Sequence, residues 1–111
     1  IEVCLVGSEM CIRDRHALAS QQMNGFGGII SMNISAGLEK SKSFLEKTKI
    51  FALAESLGGV ESLIEHPALM THASLPKDRR EAIGINDGLV RLSVGLESLD
   101  DLIEDIEQAL V

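Results

Sequence analysis

The sequence has 111 residues, 45% of them hydrophobic, and a formal net charge of −7 at pH 7. That length holds at most one domain, which buries about two-thirds of its unfolded surface, and the acidic balance argues against a nucleic-acid binder, which needs a basic face. No apolar run approaches the ~18 residues of a membrane span, and aromatic residues make up 3%, all of them Phe, so the core must pack on Leu, Ile and Val.

Residues 1–15, IEVCLVGSEMCIRDR, hold neither a helical nor a strand period for long. They make a poor signal peptide, because Glu2 is acidic, Gly7-Ser8-Glu9 interrupts the apolar run and the basic residues come last. The spacing of Cys4 and Cys11 fits no zinc knuckle, and two cysteines make no disulfide framework; free thiols in a reducing compartment are expected. Leu5 to Asp14, LVGSEMCIRD, is similar to one reading frame of the transposon-end adapter used to build DNA sequencing libraries. That similarity implies a non-native segment over 1–15 joined to a truncated gene, with Cys11 and Cys4 not biological.

From His16 the chain reads as protein. His16 to Met23 is a loop or a short helix. Asn24 to Gly28 is a flexible lead-in, and since it precedes a strand rather than following one, it is no phosphate loop. Ile29 to Ile34 alternates as a strand, with Ile30, Met32 and Ile34 on one face. Ser35 is a plausible N-cap for a helix over 36–49, with Leu38, Leu45 and Thr48 inside and Lys40, Lys42, Glu46, Lys47 and Lys49 solvated. Phe51 to Ala54 reads as a buried strand, Gly58-Gly59 as a sharp reversal and Val60 to Ile64 as the next strand. Pro76 opens a short helix that Gly84 ends, and Asn86-Asp87-Gly88 is turn chemistry. Leu89 to Val94 alternates, with Val90, Leu92 and Val94 inward and Leu89, Arg91 and Ser93 on the other face. The last helix has Ser98 as cap, with Asp101 in a capping-box position. Leu99, Leu102, Ile103, Ile106, Ala109 and Leu110 form its apolar stripe, and acids, Asp105 among them, cover the rest. This order predicts an α+β architecture, a small sheet with helices on one face.

Chemistry is expected at Arg91 and the turn at Glu55, Ser56 and Leu57. A guanidinium in mid-strand is either an exposed strand charge or, beside turn N–H groups, a receptor for a carboxylate. Glu55 is a solvated edge or a reader of an ammonium group, and Ser56 either joins the receptor or only caps the turn. His72 is a candidate base, although a lone histidine is more often a structural hydrogen-bonder. His16 and His66 have no ligand-spaced partners, so no metal site is expected.

AESLGGVESLIEHPALMTHASLP and GINDGLVRLSVGLE resemble the C-terminal domain of the pyridoxal-phosphate-dependent enzymes of cysteine and methionine metabolism, above all the cystathionine γ-synthases and γ-lyases. The resemblance covers 16–111. It implies the small, mostly antiparallel domain of a fold-type I enzyme, closing over a site whose cofactor lysine lies in a separate large domain. It implies that Arg91 binds the substrate α-carboxylate with help from Ser56 and Leu57, that Glu55 lies near the distal amino group of cystathionine, and that Thr71 flanks the pocket. It further implies γ-elimination or γ-replacement on cystathionine or homoserine esters by a cytoplasmic homo-oligomer (a homotetramer), with an amino-acid substrate and neither membrane nor nucleic acid as partner. No lysine here stands in a cofactor-binding motif, so the chain alone is expected to be inactive. The competing reading is a free-standing module that binds a carboxylate or a partner protein without catalysis.

Overall fold

In a computed structural model the described residues are 2–5, 16–25, 27–35 and 37–111. Cys11 and most of the adapter-like run fall outside them, as do Phe26 of the lead-in and Ala36 of the expected helix. The elements in chain order are β1 (Glu2–Leu5), α1 (His16–Gln22), β2 (Ile29–Asn33), α2 (Leu38–Lys47), β3 (Ala52–Leu53), β4 (Leu63–Glu65), α3 (Lys77–Ala82), β5 (Leu89–Ser93) and α4 (Leu99–Leu110). From β2 onward this is the predicted succession.

The strands form one sheet in the order β1-β2-β5-β4-β3. Three of its pairings are antiparallel and β3 runs parallel to β4. Ile30, Leu92 and Ile64 share one cross-strand row, and Met32 faces Val90 in the next. On that face α2 contributes Phe44, and α4 contributes Leu102 and Ala109, to a single buried cluster. Helices therefore cover one face of the sheet, and alternation sends the side chains of Ser31, Glu65, Arg91 and Ser93 to the other.

Several local expectations fail for identifiable reasons. Phe51 is buried, but Ala52 and Leu53 are exposed, because β3 is a two-residue edge strand and only its lead-in reaches the core. The next strand starts at Leu63, not Val60, and Val60 is 73% exposed. Of the two glycines, only Gly58 takes a positive φ, at 75°. Helix α2 starts after Gly37 rather than Ser35, with Ser41 and Phe44 as its buried residues. Ser98 precedes α4 but makes no side-chain capping bond, and Leu102 N–H donates instead to the Ser98 carbonyl. On α4 itself, Leu99, Ile103 and Leu110 are exposed, while Asp105 is buried. The turn chemistry holds: Gly84 has φ 89°, and Gly88 N–H donates to Asn86 Oδ1 at 3.0 Å.

Candidate functional site

Arg91 stands at the centre of β5, between Ser31 on β2 and Glu65 on β4. A mid-strand position fixes the Cα on both sides through ladder hydrogen bonds, so the side chain leaves a rigid base. Arg91 Nη1 lies 2.8 Å from Glu65 Oε2. Arg91 Nη2 donates to the carbonyls of Glu55 and Ser56, both at 3.0 Å. Glu65 is fully buried, and neither of its carboxylate oxygens makes a hydrogen bond among the described residues. The contact with Nη1 is therefore a close ion pair lying off the N–H directions. Arg91 Nε also lacks a partner among those residues. Nε is also buried, so with two carbonyls on Nη2 the donor capacity left for an incoming anion lies on Nη1.

The loop that brings Glu55 and Ser56 to Arg91 is tied to the end of β5. Gly58 N–H donates to Ser93 Oγ at 2.8 Å, and Leu96 N–H donates to the Val60 carbonyl at 2.8 Å. Ser62 sends its N–H and its hydroxyl to the two carboxylate oxygens of Glu97, at 2.8 and 2.7 Å, while Gly95 N–H donates to Ser62 Oγ. The Ser62 hydroxyl, then the Ser62 N–H, hold Glu97 below the ordinary carboxylate pKa. Gly95 is obligatory: a Cβ there would lie 2.3 Å from the Val60 carbonyl oxygen.

Arg91, Glu55 and Ser56 thus meet, although it is the backbone carbonyls of the turn, not its N–H groups, that face the guanidinium. Leu57 lies exposed beside them. Thr71 is exposed in the segment after Pro67, its hydroxyl 2.8 Å from His72 Nδ1, and no hydrogen bond among the described residues links it to Arg91. His66 is structural: its Nε2 donates to the Asp87 carbonyl at 2.7 Å and its Nδ1 accepts from Leu69 N–H. Arg80 is tied down by Asp87 Oδ1 and the Ile85 carbonyl. A cavity at the far end of β2, lined in part by Asn33, Asn86 and Asp87, includes none of Arg91, Glu55, Ser56, Leu57 and Thr71.

Glu65 was missed. Its signal is an acid directly after the apolar pair Leu63-Ile64 and before His66-Pro67, which a cross-strand arginine can balance; that partner is visible only once the register is known.

The residues present do not fit a pyridoxal phosphate aldehyde. Lys40, Lys42, Lys47, Lys49 and Lys77 are all exposed. Lys42 pairs with Glu39, Lys77 with Glu81 and Asp87, and Lys47 Nζ donates to the Val111 carbonyl. None reaches the Arg91 row.

The model of a family described as "Cys/Met metabolism PLP-dependent enzyme" matches residues 8–111. A cystathionine beta-lyase of Coxiella burnetii is 55% identical over 96 residues, covering 86% of this chain and 25% of the relative. A cystathionine gamma-lyase of Dictyostelium discoideum is 54% identical over 96 residues, with the same coverage. The chain thus spans about a quarter of the length of the curated relatives it matches. Among solved structures, cystathionine gamma-lyase from Lactobacillus plantarum complexed with L-serine superposes with a TM-score of 0.85 at 43% identity, covering 98% of this chain and 28% of that one.

Proposed function

This chain belongs to the Cys/Met metabolism PLP-dependent enzymes, and we propose that within a cystathionine lyase of that family it supplies the site for the substrate α-carboxylate. The observation that carries this reading is Arg91: a guanidinium on a rigid central strand, gripped at Nη2 by two turn carbonyls and paired at Nη1 with a buried acid, with no hydrogen bond among the described residues spent on Nη1. Relatives named as cystathionine lyases and a related structure holding L-serine, itself an α-amino acid, support it.

In this reading Arg91 binds the carboxylate, and the Ser56-Leu57 turn closes against it. That contact removes rotation of the substrate about its Cα, which is where positioning lowers a barrier. Glu55, with its side chain exposed at the same turn, reads the distal ammonium of cystathionine, and Thr71 flanks the pocket. The reaction class is elimination from cystathionine, with γ-replacement on homoserine esters as the synthase variant of the same site. The working enzyme is a cytoplasmic homo-oligomer that needs a second domain for its cofactor. The 111 residues alone, with every lysine solvated, do not catalyse it.

Steady-state kinetics on the full-length enzyme carrying this chain test the reading. Arg91→Ala costs about 3 kcal/mol in kcat/KM, a hundredfold or more. Because that change also strands Glu65 as a buried unpaired charge, Arg91→Lys and the double variant Arg91→Ala/Glu65→Gln accompany it. The lysine variant recovers only part of the loss, since a point charge cannot copy the planar guanidinium, and the double variant recovers stability but not kcat/KM. A double variant within threefold of wild type removes Arg91 from the site.

A further inference from the structure

We infer that Glu65 is the positioning residue of this carboxylate site, holding the Arg91 guanidinium from the neighbouring strand on the same face of the sheet so that its outward donors face the ligand. The inference rests on the reading of Arg91 given above and extends it to a residue that has no contact with solvent.

Three observations carry it. Glu65 is 0% exposed, and its neighbours on the strand, Leu63 and Ile64, are buried as well. An ionised side chain is almost never retained so deep unless it is paired. Its only charged partner among the described residues is Arg91, at 2.8 Å, directly across the ladder from it. Neither Glu65 oxygen makes a hydrogen bond among the described residues. A buried ion pair without supporting hydrogen bonds adds little stability, and well-packed apolar residues serve as well or better. Glu65 therefore makes most sense as a device acting on the arginine. Together with the carbonyls of Glu55 and Ser56, it restrains the guanidinium from two sides. Without it, Nη1 has no anchor, and the planar group can rotate about its terminal torsions, spreading its donors over several directions. Preorganised donors bind an anion better than mobile ones because their freedom is already lost on folding.

The opposing expectation has the opposite sign. If Glu65 were only a counter-charge, its removal would leave Arg91 more positive and tighten carboxylate binding. If it were only part of the fold, its removal would weaken all ligands alike.

The test is calorimetric titration of the full-length holoenzyme with L-serine and with L-serinamide, whose neutral amide replaces the carboxylate. Wild type, Glu65→Gln, Glu65→Asp and Arg91→Lys are compared. Glu65→Gln keeps the volume and removes the charge, and Glu65→Asp keeps the charge but withdraws it from Nη1. Positioning requires both to lower L-serine affinity about tenfold relative to L-serinamide, with cofactor absorbance unchanged. Tighter L-serine binding in Glu65→Gln, with Glu65→Asp like wild type, overturns the inference in favour of a counter-charge. Equal weakening of both ligands overturns it in favour of a structural role. If Glu65→Gln fails to fold, Glu65→Asp alone decides by the same ratio. Arg91→Lys separates the two readings: should it leave the L-serine to L-serinamide ratio unchanged, the carboxylate site itself is wrong; should it lower the ratio while the Glu65 variants do not, only the positioning role is lost.

Discussion

A charged residue on an amphipathic helix is normally read as solvated, and Asp105 shows where that rule gives way. It falls between Leu102 and Ala109, on the buried stripe of α4, and only 4% of it is exposed. Its carboxylate accepts the consecutive backbone N–H groups of Lys49, Ile50 and Phe51 at 2.7, 2.8 and 3.1 Å, and the Gln108 amide at 3.1 Å. Three converging N–H groups form an anion-binding concavity that the carboxylate fills. Burial alone would raise its pKa, but the N–H groups of Lys49, Phe51 and Ile50, with Gln108, outweigh burial and hold it below the ordinary 3.8. A lowered folded-state pKa means the contribution to stability is fully present above 3.8 and is lost as pH falls through the folded value. Asp105→Asn replaces an acceptor oxygen with a donor facing these N–H groups and should cost about 2–3 kcal/mol. Denaturant unfolding of the full-length protein between pH 3 and 7 should also show a flatter acid limb in the variant than in wild type. By sequence Asp105 belongs to the solvated face with the other acids; its burial was not legible, because the three donors that permit it come from a segment more than fifty residues earlier.

At the level of elements, what the sequence hid is how a loop with no regular structure is held. GINDGLVRLSVGLE reads as a turn and an alternating strand, and both are found. Its last residues do more than end the strand, because Gly95, Leu96 and Glu97 grip Val60 and Ser62 and so seat Glu55 and Ser56 against Arg91. No period or propensity encodes a clamp of this kind, built on a close backbone approach and one acid. Gly95→Ala puts a methyl group 2.3 Å from the Val60 carbonyl oxygen and 2.6 Å from the Glu61 carbonyl carbon, both backbone atoms that cannot yield without moving the loop. In the full-length enzyme the expected result is a rise of about tenfold in KM for the amino-acid substrate, as the turn leaves Arg91. Gly27→Ala, where a Cβ meets nothing within 4 Å, should leave KM unchanged. The misplaced start of β4 has the same origin: Val60 looks like a strand residue, but its carbonyl is committed to Leu96, not to a ladder.

Across the whole molecule the architecture was readable because the long elements obey their periods. Strands β2 and β5 alternate, α4 seats Leu102, Ile106 and Ala109 on the core, and the turns at Gly84 and Asn86-Gly88 lie where their chemistry requires. Strand order was not readable, since it depends on which edges pair, and β3 joins the sheet in parallel through only two residues. Among the described residues no helix is long and apolar enough to cross a membrane. Leu57, Val60, Leu96 and Leu99 are all more than half exposed, close in sequence to the Arg91 loop or to its clamp, so the candidate site borders an apolar surface. Through the central row of Glu65, Arg91 and Ser31, the sheet converts a strand register into the placement of one guanidinium.

The most direct test is a crystal structure of the full-length enzyme with a bound α-amino acid such as L-serine. A ligand carboxylate oxygen is expected within about 3 Å of Arg91, by ordinary charge-assisted hydrogen-bond geometry, with Glu65 still in contact with Nη1 from the neighbouring strand. A carboxylate held by other residues, with Arg91 still closed on the Glu55 and Ser56 carbonyls alone, would contradict it.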